Sequence, residues 1–382
     1  MRHHLLTAVA IAAIACTAAC AKRGPKPKDY ARELQPGELA LTEVDIGELP
    51  AVRTTPALRR DLERGIDACL AHLAKPSVVQ QYAHGVSGIP REQVVDGLKL
   101  MRELLRRHVD DASLDREIRA RFRAYSSVGW DGKGSVLFTG YFTPIYEGSL
   151  TRTAEFRHPV YARPKDLAPN PDPTRARTEP SRSLDGNIYP TRAEIEDGRM
   201  LAGTELVWFK ERWQAYVIEV QGSGLVRTSE GPRLIGYADT NGHPYVSVGK
   251  ELAADGKIDA NAISMPAIDA YFAAHPEELD AYIRRNPRMV FFRFSDEAGP
   301  MGSTNTPVLA DVSVATDKSI FPPAALCVAD AAAVPNLRLD QDTGGAIRAP
   351  GRCDLYMGIG PEAERRAGAM HAEGRLFYLV PR

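Results

Sequence analysis

Gln341-Asp342-Thr343-Gly344-Gly345-Ala346-Ile347, followed by Arg352-Cys353-Asp354-Leu355-Tyr356-Met357-Gly358, is the stretch on which the reading of this 382-residue chain turns. Each of its two aspartates ends an apolar, strand-like run and stands near glycine. Glycine lets the backbone turn tightly and lets a bulky ligand come close. A carboxyl held there, shielded from water, has its pKa raised and can donate a proton near neutral pH. Asp and Gly also simply make turns. The pair therefore admits two readings, turn residues or an acid, and the rest of the chain has to decide.

Upstream lie four further segments rich in glycine and polar residues. Thr139-Gly140-Tyr141-Phe142-Thr143-Pro144 closes a strand-like run, and Val220-Gln221-Gly222-Ser223-Gly224 closes another. Ile235-Gly236-Tyr237-Ala238-Asp239-Thr240-Asn241-Gly242-His243-Pro244-Tyr245 makes a turn flanked by tyrosines, and Met301-Gly302-Ser303-Thr304-Asn305-Thr306-Pro307 precedes Val308-Leu309. Aromatic rings beside amides and hydroxyls suit a sugar groove, because pyranose rings offer apolar faces for stacking and many hydroxyls for hydrogen bonds. Taken singly, each segment is equally a hairpin turn.

The texture of the chain changes twice. From about 55 to 125 apolar residues recur at helical spacing: Leu58, Leu62, Ile66, Leu70, then Val95, Leu98, Met101, Leu104 and Leu105. From Ser135 onward short β-like runs take over, among them Val136-Leu137-Phe138 and Ala215-Tyr216-Val217-Ile218-Glu219-Val220. Residues 164–190, dense in Pro, Arg, Asp and Asn, read as a loop. A helical interlude at 266–285 and a strand at 288–294 lead into a β-rich C-terminal part.

Composition bounds the class. Hydrophobic content of 44% and charged content of 25% are globular values. A formal net charge of −1 argues against nucleic acid, which demands a basic excess. The start reads as a secretory signal: basic Met1-Arg2-His3-His4, an apolar run Leu5–Ala15, then small residues before Cys20. A cysteine there resembles a bacterial lipoprotein processing site, with Cys20 the lipidated residue and Cys16 the weaker alternative. Ala21, in place of Asp, points to the outer membrane. Residues 21–54 follow as tether and linker. Of Cys69, Cys327 and Cys353, the last two are the preferred disulfide pair because both fall in the C-terminal region. Their spacing fits no zinc pattern, so no metal is assigned.

Together the motifs resemble the membrane-bound lytic murein transglycosylase A family from about Gly140 to the C-terminus. The resemblance rests on Gly140–Pro144, Val220–Gly224, Gly236–Lys250, Ala315-Thr316-Asp317-Lys318-Ser319-Ile320-Phe321-Pro322-Pro323, the aspartate pair, and Gly358-Ile359-Gly360-Pro361-Glu362-Ala363. It implies a mainly β protein with N-terminal helices: a six-stranded double-psi β-barrel built from both ends of the chain, a β-rich domain inserted in it, and glycan in the groove between them. On that template residues 55–144 form the helical N-terminal part, 145–293 the insert and 294–382 the catalytic part of the barrel. The C-terminal part also resembles the module named for three aspartates, here Asp317, Asp342 and Asp354.

By the same resemblance Asp354 is the catalytic acid, Asp342 its supporting neighbour and Asp317 a structural turn aspartate. Tyr141, Thr143, Gln221, Gly222, Ser223, Tyr237, Asn241 and Gly344 are expected along the glycan. The implied reaction cleaves the MurNAc-β-1,4-GlcNAc bond of peptidoglycan without water, giving 1,6-anhydro-MurNAc ends. It requires one acid/base and no cofactor. Peptidoglycan strands and the outer membrane are the expected partners, with cell-wall synthases or scaffold proteins as further candidates. Two alternatives stay open. One is a glycan-binding barrel without catalysis. The other is a murein hydrolase, which needs a second carboxylate, for which Glu147, Glu219 or Asp239 qualifies. A serine nucleophile in Gly222-Ser223-Gly224 has neither the strand-turn-helix elbow nor an evident histidine.

Overall fold

The computed structural model describes residues 28–82, 86–170, 179–331 and 336–382. The signal sequence with Cys16 and Cys20 lies outside the described residues. In chain order the elements are β1 (Leu41–Val44), α1 (Pro56–Leu73), α2 (Pro76–Gln81), α3 (Arg91–Arg107), α4 (Asp111–Arg121), β2 (Phe122–Ser127), β3 (Val136–Thr143), β4 (Ile145–Ser149) and β5 (His158–Tyr161). They continue with α5 (Arg192–Asp197), β6 (Glu205–Phe209), α6 (Arg212–Gln221), β7 (Ser223–Thr228), β8 (Gly231–Thr240), α7 (Val248–Ala254), α8 (Met265–Ala274), α9 (Leu279–Arg285) and β9 (Val290–Ser295). The C-terminal part adds β10 (Ser313–Ala315), β11 (Leu326–Asp330), β12 (Leu337–Asp342), β13 (Arg352–Ile359), α10 (Pro361–Ala369) and β14 (His371–Pro381).

Two sheets organise these elements. The first runs β1-β2-β14-β11-β12-β10-β13-β3, and a further β14–β3 pairing closes its larger part into a ring. Within the ring β13 pairs β3 in parallel, and β10 pairs β12 in parallel. Closure removes the open edges that a sheet of this width would otherwise expose. The second sheet, β5-β6-β4-β7-β8-β9, comes entirely from the segment spliced between β3 and β10.

The helices at the N-terminal end form because caps and periodicity agree. Thr55 accepts from the Leu58 amide, Pro56 occupies the first turn, and Leu58, Leu62, Ile66, Cys69 and Leu73 form one buried stripe on α1. α3 buries Val94, Leu98, Met101, Leu104 and Leu105 in the same way. Gly65 lets α1 lie tightly on the barrel, since a Cβ there would stand 2.6 Å from Leu339 Cδ1.

Three expectations are corrected. Residues 215–220, read as a strand, lie within helix α6. A short run with five consecutive buried residues carries no period that separates helix from strand. Here the ends decide: the Gln214 side chain accepts from the Glu211 amide at 3.4 Å, and Gly222 takes the left-handed C-terminal position with φ 78°. Secondly, part of the expected 21–54 tether is packed structure. β1 pairs with β2, and Ala40, Leu41, Leu49 and Val52 are buried. Thirdly, Cys327 and Cys353 are free thiols, as is Cys69. Cys327 lies on β11 and Cys353 on β13, with β12 and β10 between those strands.

Candidate functional site

Asp354 sits on β13 between two neighbours, opposite Thr139 of β3 and opposite Ala315 of β10. The Thr139 hydroxyl donates to Asp354 Oδ1. Arg352 Nη2 stands 3.8 Å from the same oxygen and donates to Thr139 Oγ1 at 3.1 Å. The Asp354 side chain is 18% exposed, shielded yet reachable. Burial pushes its carboxyl up to about 6, with Arg352 opposing the rise and Asp342 adding to it.

A bulge in β12 delivers the second carboxylate. Val314 opposes Asp340 while Ala315 opposes Asp342, so Gln341 is the extra residue. Without that insertion Asp340 and Asp342 would share one face of the strand. Instead Asp340 is wholly buried against Lys318, Tyr378 and Thr316, accepting from Tyr378 at 2.6 Å and from Thr316 at 2.7 Å. Asp342 turns to the surface of the barrel. Its Oδ2 accepts from the Tyr141 hydroxyl at 3.0 Å, and its Oδ1 from the amides of Ser303 at 2.9 Å and Thr343 at 2.8 Å. Burial raises the Asp342 pKa against the pull of those donors. Burial, reinforced by Asp342, holds the Tyr141 phenol well above its usual range, so it remains a donor.

Both aspartates open on a cleft of about 620 Å³ between the two sheets. The barrel wall supplies Tyr141, Ser303, Asp342, Thr343, Gly344, Asp354 and Tyr356. The inserted sheet and its helices supply Gln221, Gly222, Ser223, Gly236, Tyr237, Arg293 and the pair Arg192–Glu219. His72 and Lys75, from the end of α1 and the start of α2, reach the same cleft.

The expected glycan-binding residues divide accordingly. Tyr141, Gln221, Gly222, Ser223, Tyr237 and Gly344 line the cleft. Tyr237 is 37% exposed in the cleft wall, whereas Tyr141 packs at 5.0 Å on Tyr356 and holds Asp342. Gln221 spends its carbonyl on the Phe142 amide at 3.0 Å. Thr143 is fully buried and does not line the cleft; its hydroxyl bonds Ser223 Oγ at 3.0 Å and Tyr356 OH at 2.9 Å. Asn241 is likewise buried and outside the lining. Its Nδ2 donates to the Pro190 and Pro287 carbonyls and its Oδ1 accepts from Met289, so it ties loops together. Asp317 accepts from Ser319 and from the Ala349 amide, bracing the turn before Cys353.

The candidate second acids are otherwise engaged. Glu219 takes a bidentate grip from buried Arg192, at 3.0 and 2.6 Å, and accepts from the Val290 amide at 3.1 Å. Asp239 accepts from Arg163 at 3.0 Å beneath the surface. Glu147 is exposed, 3.8 Å from Arg227, and does not line the cleft. For metals, the described residues bring only His275, Glu277 and Glu278 within ligand distance of one another, and Glu278 already accepts from Lys257 and Tyr271. The serine reading finds Ser223 bonded to a threonine.

Sequence reasoning did not single out Thr139, His72, Lys75, Ser303, Thr343 or Arg293. Thr139 and Ser303 lay inside quoted motifs, but their partners are visible only once strands pair. A closed sheet carrying two shielded aspartates on the floor of a polar, aromatic-lined cleft has the chemistry that a carbohydrate-active protein requires.

Comparison with known proteins narrows that class. The profile described as MltA specific insert domain matches residues 137–293, and that of the 3D domain matches 312–380. Membrane-bound lytic murein transglycosylase A of Escherichia coli (strain K12) is 34% identical over 270 residues, covering 67% of this chain and 68% of that protein. The Vibrio cholerae protein of the same name is 34% identical over 269 residues, 66% of this chain and 67% of that protein. Among solved structures, the membrane-bound lytic murein transglycosylase from Agrobacterium tumefaciens superposes with TM-score 0.73 at 26% identity, covering 90% of this chain and 98% of that one. E. coli MltA with bound chitohexaose superposes with TM-score 0.68 at 27% identity, covering 94% and 99%. This chain belongs to the membrane-bound lytic murein transglycosylase A family.

Proposed function

We propose that this protein is a lytic transglycosylase that cuts the glycan strand of peptidoglycan between MurNAc and GlcNAc, with Asp354 as its single acid/base. One observation carries the reading: Asp354 is shielded on the cleft floor with its pKa raised to about 6. The other carboxylates weighed for a two-acid mechanism are held by arginine or stand off the cleft. A glycosidase that activates water needs a second free carboxylate.

Thr139 and Arg352 both address Asp354 Oδ1, so Oδ2 is the atom that carries the proton. That proton passes to the glycosidic oxygen as the bond to C1 breaks and GlcNAc leaves with a new hydroxyl. The substrate's own N-acetyl group stabilises the cationic centre. The MurNAc 6-hydroxyl then attacks C1 and returns its proton to Asp354, so no water is consumed and the acid is regenerated. Tyr141 and Asp342 hold the floor beside it, and Tyr237 offers a face to a sugar ring.

Two finer readings accompany this one. The ring closed by β3, with its parallel β13–β3 and β10–β12 pairings, supports a double-psi arrangement. The sequence before Lys22 supports attachment of Cys20 to lipid on the periplasmic face of the outer membrane. Among the described residues no helix is long and apolar enough to cross a membrane.

Digestion of purified sacculi, with products weighed by mass spectrometry, tests the function. Wild type should release anhydro-muropeptides, and Asp354→Asn should release about 10²–10⁴-fold less while still binding sacculi. Release of reducing ends with a gain of water would replace this reading by hydrolysis.

A further inference from the structure

A neutral glycan needs no cations, yet this cleft presents Arg293 and Lys75, which no carboxylate among the described residues neutralises. Arg293 stands exposed on β9, and Lys75 stands exposed at the cap of α2. Among the described residues neither has a carboxylate partner. The chain as a whole carries a net charge of −1, so a general basic excess does not account for them.

Local geometry gives both the freedom to meet a ligand. Arg293 opposes Gly236 of β8 in register, and Ser295 opposes Leu234; all four line the cleft on one face of the sheet. A Cβ at Gly236 would meet nothing within 4 Å, so open floor lies beside the guanidinium. At the other end Lys75 neighbours His72, which lines the cleft while only 3% exposed and whose Nδ1 has no hydrogen-bond partner. Burial first, and Lys75 second, hold that imidazole down to about 4, so it remains neutral. The buried hydroxyls of Ser303 and Thr343, flanking Asp342, are also unpartnered. Orphaned buried polar groups are costly and mark places where a ligand completes the bonding.

We infer that Arg293 and Lys75 are specificity contacts for carboxylate groups carried by the glycan, which let this cleft prefer acidic murein strands over neutral chitin-type oligomers. The inference rests on the murein reading above. Two sources offer that chemistry, the lactyl carboxylate of muramic acid and the carboxylates of stem peptides.

The test compares wild type with Arg293→Ala, Lys75→Ala and the double variant on three substrates. These are peptide-bearing strands, amidase-treated strands with free lactyl groups, and the neutral N-acetylglucosamine hexamer. For acidic strands the double variant should raise KM about three- to tenfold with kcat unchanged, the scale of two exposed charge contacts. Its affinity for the hexamer, read by calorimetry, should not move. A loss confined to peptide-bearing strands assigns the stem carboxylates, and one confined to amidase-treated strands assigns the lactyl group. An unchanged KM, or equal weakening on the hexamer, overturns the inference. If wild type releases no anhydro ends, the murein reading fails. Binding of Asp354→Asn to acidic strands and to the hexamer then still decides whether these cations select charge.

Discussion

The two walls of the cleft treat their carboxylates in opposite ways. On the inserted domain, Glu219 is fully committed to buried Arg192 through a bidentate pair. On the barrel, Asp354 has an arginine only at 3.8 Å, and Asp342 has neutral donors. Burial without a close counter-charge favours the protonated acid, whereas burial with one favours the carboxylate. The difference teaches where a transferable proton can reside. On the reading proposed above it resides on the barrel wall, at Asp354.

The largest break in this comparison should come from Asp354→Asn, with a fall of about 10²–10⁴-fold in release of anhydro ends, the usual worth of a general acid/base. Next in size is Glu219→Ala. Stranding a buried guanidinium should cost about 3–5 kcal/mol in denaturant unfolding. If Glu219 were instead a catalytic base, the folded fraction of that variant would be inactive at full stability.

Proton linkage gives a third, pH-dependent difference. The folded pKa of Asp354 is raised, so its protonated form is tolerated without penalty below about pH 4, and that advantage is lost as pH rises through about 6. Asp354→Asn cannot ionise. Relative to wild type it should therefore gain up to about 3 kcal/mol between those limits and then level off. Thermal melts from pH 4 to 8 read this directly, and parallel curves would remove the shielding argument. Turnover by wild type should decline as pH passes about 6, because the acid form is being depleted. Smallest is Tyr141→Phe, which removes one hydrogen bond to Asp342 and should cost about 1 kcal/mol in stability. A loss of activity far beyond that loss of stability would mean Tyr141 meets substrate directly.

Much of this architecture could be read from residues. Helical periodicity in α1 and α3, and the runs that became β3 and β13, follow from spacing of apolar side chains. The carboxylates flagged beside glycine, Asp342 and Asp354, both reach the cleft. What stayed hidden depends on contacts far apart in the chain. α6 holds a run of five buried residues, 215–219, whose identity rested on its caps. Asn241 has the chemistry of a sugar ligand but spends it on three backbone groups. Lys75 and His72 belong to helices whose packing on the barrel, and not their own pattern, brings them to the cleft. The bulge that parts Asp342 from Asp340 is a property of strand pairing and leaves no local sign.

The hydrogen bond between Thr139 and Asp354 joins residues 215 apart in sequence, with the whole inserted domain between them. During synthesis at about 5–20 residues per second, β3 leaves the ribosome on the order of 10–40 s before its partner strand exists. The cleft floor therefore cannot be complete before the last part of the chain is present, and β14, which closes the ring, comes later still. A cleft closed by its last strand is incomplete throughout its own manufacture, whatever the state of the segments made first.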